Sequence, residues 1–306
     1  GDEVLVPLAG YFAERFAKIA RAYGVNVRTI EYEWGRSVKA PDIARALAER
    51  PTKAVLLTQS ETSTGVVHDI EAIARATKDA GALVFVDAVS SLGAVPFDME
   101  GWGIDVAVGG SQKALSGSPG LAFVAISEAA WAAQAEATNP RFYFDWAPYR
   151  TYAALPDPEN PWTPAISVLQ GLRKALELYF RDGPEAAFAR HALLSRGIKE
   201  GVRALGLDLF GEDLDRSWTV TAIRAPEGID ADTICARIRA DHAIVLAPGQ
   251  GPLKGRVFRI GHLGYYDELD MIRGLAALEM TLDALGYPVK RGAAVAAAED
   301  VFAQAR

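Results

Sequence analysis

Lys53–Asp87 reads KAVLLTQSETSTGVVHDIEAIARATKDAGALVFVD. KAVLLTQ (53–59) is a continuous apolar run of strand length. DIEAIARATKDAG (69–81) carries apolar residues at helical spacing and stops on Gly81, and ALVFVD (82–87) is apolar again. Apolar runs of this kind suit strands buried on both faces. Strand, helix and strand in this order predict a crossover unit of a parallel sheet.

The same alternation extends in both directions. Toward the N-terminus lie a strand at Val4–Leu8, a helix over YFAERFAKIARAYG ending at Gly24, a strand at Val25–Tyr32 and a helix over APDIARALAER. Toward the C-terminus, the strands IDVAVGG and LAFVAIS flank GGSQKALSGSPG (109–120). Too little chain separates them for a helical crossover, so they are expected to pair antiparallel and make the sheet mixed. A helix is expected over Ser127–Gln134. Asn139 to Pro164, rich in Pro, Tyr, Trp and Asp without a period, is expected to be irregular and to lie at a subunit contact. Two helices then follow, one ending by Gly183 and one starting at Pro184, a favourable first-turn position. Beyond Leu207 the pattern changes: strand SWTVTAIRA, helix DADTICARIRADH, short strand AIVLA, strand RVFRIGHLG, a long helix from DELDM, and an Ala-rich helical tail after Gly292. The expected fold is α/β, with a mostly parallel large domain (1–182) and a smaller α+β domain (183–306).

Composition narrows the function. The chain has 306 residues, a formal net charge of −7 and no Lys/Arg block, so neither nucleic acid nor a membrane surface is an expected partner. Cys235 is the sole cysteine, which excludes a disulfide framework and points to the cytoplasm. No apolar run approaches the roughly 20 residues of a membrane span, and no signal peptide is visible. The opening GDEVLVPLAG reads as a turn feeding a strand, as expected inside a longer sequence.

Three strand ends carry polar groups: TQSETSTG (58–65), Asp87, and the loop with Gln112 and Lys113. In an open α/β sheet, ligands sit outside the carboxyl ends of the strands, so all three converge on one edge. Asp87 follows an apolar run and needs a partner. A desolvated lysine nearby becomes a nucleophile. The pair has two readings. It is a salt bridge joining two strand ends, or it is a pyridoxal 5′-phosphate site, with the lysine bonding the cofactor and the aspartate pairing with its protonated ring nitrogen.

The sequence resembles the class V aminotransferases of fold type I, and most of all the alanine–glyoxylate, serine–glyoxylate and serine–pyruvate group. The resemblance lies in ETSTGVVHDI (61–70), FVDAVSSLGAVPFDM (85–99), GGSQKALSGSPGLAF (109–123), NPWTPAISVLQGL (160–172) and FRIGHLG (258–264), in the family's order across nearly the whole chain. It implies a transaminase that moves an amino group from serine or alanine to glyoxylate or pyruvate. Lys113 would hold the cofactor and then act as the base, and Asp87 would pair with the pyridine nitrogen. Val89 and Phe12 would cover the two ring faces, Thr62 would bond the ring oxygen and Gln112 would reach the phosphate. Thr163 would contact the phosphate in the neighbouring subunit, implying a homodimer. Arg259 would grip the substrate carboxylate; without the resemblance it reads as a charge at a sheet end, and Phe12 as a helix residue facing the core.

The family's glycine-rich phosphate cup falls upstream of GDEVLV. The chain as given is therefore expected to bind cofactor weakly and to lack strong activity, which an absorbance scan with and without the upstream segment would test. The four histidines have no metal-ligand spacing, and no metal is expected. His68 is expected to pack at a helix start. His262, close to Arg259, has a substrate-facing and a structural reading. Cysteine desulfurase chemistry is disfavoured because Cys235 falls within a helix. A pyridoxamine–pyruvate-type transaminase and a catalytically silent interaction subunit are the remaining alternatives.

Overall fold

The computed structural model describes residues 1–212 and 217–305. In chain order the elements begin with β1 (Glu3–Leu8), α1 (Tyr11–Ala22), β2 (Asn26–Glu31), α2 (Ala40–Glu49), β3 (Ala54–Thr58), β4 (Ser60–Glu61), β5 (Val66–Val67) and α3 (Ile70–Asp79). They continue with β6 (Leu83–Asp87), β7 (Val106–Gly110), β8 (Ala122–Ile126), α4 (Glu128–Glu136), α5 (Ala147–Ala153), α6 (Ile166–Asp182) and α7 (Pro184–Ala204). The last are β9 (Val220–Arg224), α8 (Ala231–His242), β10 (Ala247–Pro248), β11 (Val257–Gly261), α9 (Glu268–Ala284) and α10 (Ala293–Ala303).

A six-stranded sheet runs β2-β1-β3-β6-β7-β8. Every pairing is parallel except β7 with β8, the antiparallel pair expected around the lysine loop. Alternate strand residues feed opposite faces, as the two-residue period requires. Leu5, Val55, Leu57, Val84 and Val86 pack with Ile43, Ile70 and Ile73 on one side. Val4, Val6, Ala54 and Leu56 pack with Ala17 on the other. Burial on both faces is why these strands read as unbroken apolar runs.

The second sheet, β10-β11-β9, is antiparallel. Its Ile223, Phe258 and Ile260 bury against Leu194 and Ile198 of α7, Ile234 and Ile238 of α8, and Leu275 and Leu278 of α9. Phe302 of α10 closes on α7 where Gly197 leaves room for its ring; a Cβ there would lie 2.3 Å from it. A smaller cluster joins the two halves: Phe210, Ala222, Leu253 and Val257 take Trp34 from the loop after β2.

Three local expectations differ from the structure. The segment 139–164 contains the short helix α5, with Pro148 in its first turn. AIVLA does not form a strand throughout, because Ala243 turns left-handed (φ 55°) to end α8 and only Ala247–Pro248 pairs with β11. The turn TQSETSTGVV contains the small hairpin β4–β5, which the sequence reading omitted. No described helix is long and apolar enough to cross a membrane.

Candidate active site

Strands β3, β6 and β7 are neighbours in register, with Thr58 opposite Asp87 and Asp87 opposite Val108. Their carboxyl ends therefore open on one lip, and the chain turns there three times.

The turn after β7 carries Lys113. Ser111 closes it: its N–H donates to Leu121 O (3.1 Å), its Oγ to Ser118 O (2.6 Å), and its carbonyl accepts from Gly117 N (2.8 Å). Ser116 sits at φ 60°, in the left-handed region. Small residues surround the lysine because the loop folds back on its own backbone. Lys113 is half-buried. Burial pushes its ammonium below the ordinary lysine range, the Asp87 carboxylate pushes it back up, and Arg259 and Arg15 lower it again.

Asp87 ends β6. Its Oδ1 accepts from Val89 N at 2.9 Å, and among the described residues no donor takes Oδ2. Burial pushes its carboxyl above the ordinary aspartate range, while the Val89 N–H, Lys113 and Arg15 act the other way. Asp87 and Lys113 sense each other's charge, yet among the described residues no carboxylate lies within ion-pair distance of Lys113. The salt-bridge reading of the pair therefore lacks its direct contact.

The turn after β3 supplies Glu61–Gly65. Thr62 is buried, and its carbonyl accepts from Arg259 Nη1 at 2.8 Å, across 197 positions of sequence. Arg259 lies on β11 of the other sheet, 8% exposed, and its Nε and Nη2 both donate to Pro248 O (3.3 and 2.9 Å). Three of its five N–H groups are thus held by backbone, and two remain to face a ligand.

Phe12 stands half-buried in the first turn of α1, edge-on to Tyr11 at 5.7 Å, with the Arg15 guanidinium 5.0 Å from its ring centre. Its N–H donates to Glu61 Oε2 at 3.0 Å, which brings α1 to the same lip. Val89 is half-buried beside Asp87, and Gln112 is exposed, its Oε1 lying 3.2 Å from where a Cβ on Gly110 would stand. Lys113, Asp87, Val89, Thr62, Phe12, Gln112 and Arg259 therefore share one region. Thr163 has no hydrogen bond to any of them; it is exposed, next to Trp162, whose ring packs against Phe142 and Tyr143.

Residues that the sequence reading passed over stand in the same region. Arg15 feels both Asp87 and Lys113. Glu61 is fully buried. Gly10 lies so close to Glu61 that a Cβ would approach its Cγ to 2.4 Å. Gly10→Ala is expected to destabilise the protein by about 1–3 kcal/mol through overpacking, read as a lower urea midpoint with an unchanged slope. The only outward sign of Glu61 was an acidic residue opening ETSTG.

His68, His191 and His262 are each held in hydrogen bonds within the fold. His68 Nδ1 accepts from Val38 N at 3.2 Å. His262 is fully buried against Thr221 Oγ1 (2.9 Å) and Trp218 O (3.1 Å), and burial pushes it down to about 3, which resolves its two readings. His191, pushed down to about 4 by burial, accepts the N–H of Gly264, where a Cβ would lie 3.6 Å from the carbonyl of Lys113. Among the described residues no three His, Cys, Asp or Glu side chains are grouped to hold a metal ion. Cys235 lies in α8, and burial pushes its thiol up to about 11.

A family model described as aminotransferase class-V matches residues 1–250. The soluble hydrogenase small subunit of Synechococcus sp. (strain PCC 6716) is 42% identical, with 100% of this chain and 80% of that protein covered. The serine–glyoxylate aminotransferase of Methylorubrum extorquens is 38% identical, covering 97% of this chain and 76% of the relative. The crystal structure of pyridoxamine–pyruvate aminotransferase from Mesorhizobium loti aligns with a TM-score of 0.94 at 31% identity, over 100% of this chain and 79% of that one. A fold, an ordered set of motifs and a family match over most of the sequence agree, and this chain belongs to the class V aminotransferases, which depend on pyridoxal phosphate.

Proposed function

We propose that the chain transfers the amino group of a small amino acid, serine or alanine, to a 2-oxo acid, glyoxylate or pyruvate. The observation that carries the reading is the meeting of a desolvated lysine and a carboxylate with a vacant oxygen at adjacent strand ends, faced by a buried arginine from the second sheet. The residues present fit pyridoxal phosphate. The unpartnered Oδ2 of Asp87 suits a protonated ring nitrogen, and Lys113 offers an amine whose charge burial disfavours. Phe12 and Val89 supply apolar surface for the ring faces, Thr62 would bond the ring oxygen and Gln112 would reach the phosphate. Thr163, exposed on a surface rich in aromatic groups (Phe142, Tyr143, Phe144), would reach the phosphate of a second copy. Support for a homodimer comes from that surface. A cytoplasmic location and a division into domains at 182/183 belong to the same proposal.

When bound, the cofactor supplies an electron sink for the substrate α-carbon. The protein does the rest. Arg259, fixed by Thr62 O and Pro248 O, orients the substrate through its carboxylate with its remaining N–H groups. Lys113 would take up and return the proton of the substrate α-carbon, a task suited to an amine with a lowered proton affinity. Amino donor and 2-oxo acceptor exchange one amino group for one oxygen, so no external oxidant or reductant is needed.

Borohydride reduction of the protein with pyridoxal phosphate, followed by peptide mass analysis, tests this reading. Covalent cofactor on Lys113 is expected once pyridoxal phosphate is in large excess, weak binding notwithstanding; its absence under that excess overturns the assignment and favours a silent interaction subunit. Rates with a panel of amino acids, and with pyridoxamine, against glyoxylate and pyruvate then identify the donor and acceptor. Arg259→Lys is expected to lower kcat/KM about 10- to 100-fold, chiefly through KM, since a point charge cannot hold both carbonyls and a carboxylate in one plane.

A further inference from the structure

Glu61 is a carboxylate with 0% exposure that the reaction itself does not use. Its Oε2 accepts from Phe12 N and Ala13 N, both at 3.0 Å. Its Oε1 accepts from Ser63 N (3.2 Å) and Ser63 Oγ (2.5 Å), and that same Oγ accepts from Tyr11 N (3.1 Å). Helix α1 has no cap of its own, because the residue before it is Gly10. The N–H groups left open at its first turn are therefore satisfied from a turn about fifty positions away, by carboxyl oxygens placed at the positive end of the helix. One residue further, the carbonyl of Thr62 holds Arg259. Burial pushes the Glu61 carboxyl above the ordinary glutamate range, and the Ser63, Ala13 and Phe12 donors offset this only in part.

We infer that Glu61 is a positioning residue: it caps α1 from outside and so fixes Phe12 on one side, and the Thr62–Arg259 contact on the other, in a single register across the cofactor site. The inference rests on the functional reading above. Glu61 joins the helix that carries the aromatic group to the turn that anchors the substrate arginine, and Ser63 Oγ, which accepts from Tyr11 N and donates to Glu61, backs the same connection.

The test compares Glu61→Gln, Glu61→Ala and the parent protein by three measurements. In the cofactor-free protein, amide hydrogen exchange at Tyr11, Phe12 and Ala13 is expected to quicken at least about tenfold in Glu61→Gln, with the centre of β3 unchanged. Pyridoxal phosphate affinity, read from absorbance, is expected to fall about tenfold in Glu61→Gln and further in Glu61→Ala. KM for the amino donor is expected to rise more than kcat falls, because Arg259 loses its register. Should Glu61→Ala fail to fold, the glutamine variant, which keeps the shape and one acceptor, still decides. Faster exchange with unchanged cofactor affinity and unchanged KM means that Glu61 is only a helix cap and overturns the positioning role alone. A parent protein that takes no cofactor on Lys113 overturns the functional reading and this inference together.

Discussion

Lys113→Ala is expected to abolish covalent cofactor attachment after borohydride reduction and to lower kcat for amino transfer by about 10³-fold or more. Two losses combine. The amine that bonds the cofactor disappears, and so does the base that moves the proton from the substrate α-carbon. The lowered proton affinity of this lysine comes first from burial, which a substitution cannot transfer to a neighbour. Lys113→Arg keeps a positive charge beside Asp87 but supplies no nucleophile, so it is expected to be as inactive as the alanine variant. Small primary amines added to the buffer are expected to restore part of the rate to Lys113→Ala and none to Lys113→Arg, where the guanidinium fills the space. Full activity in Lys113→Ala would remove the lysine from the chemistry and leave its lowered affinity as a consequence of packing only.

The sheet was legible because its physics is local. An apolar run buried on both faces, a helix of matching length and a glycine stop recur along the first half of the chain, and each recurrence adds one parallel strand. The lip was legible for the same reason, since Asp87 ends one apolar strand and Lys113 stands three residues beyond the end of another. What could not be read was pairing across long separations. Nothing near Arg259 announces that its guanidinium reaches Thr62, and nothing near Tyr11 announces that Glu61 caps its helix. The short strand β10 failed differently. AIVLA has strand composition, but Ala243 is used to end α8, and Val245 is left 74% exposed, so competition for a few residues decided the outcome. In α5 no residue is buried, so the helix has no apolar stripe to betray it.

Asp87→Asn separates the two sequence readings of the lysine–aspartate pair, because they require opposite responses. The Asp87 carboxylate raises the proton affinity of Lys113, against burial, Arg259 and Arg15, which lower it. Removing that negative charge lowers it further, so half-protonation of Lys113 in the cofactor-free protein is expected at a lower pH than in the parent. Acylation of Lys113 at a fixed neutral pH, followed by mass spectrometry, is therefore expected to be faster in Asp87→Asn, because more of the amine is neutral. Amino transfer is expected to move the other way, falling about 10²–10³-fold, since a neutral amide cannot hold a proton on the ring nitrogen and the developing charge on the substrate α-carbon loses its sink. If Asp87 served only as the electrostatic partner of the lysine, a more available amine would sustain or raise the rate, and lowering the pH would bring the variant back to the parent. A rate loss that no pH recovers, in a protein whose lysine has become more reactive, assigns the carboxylate to the ring and not to the ammonium.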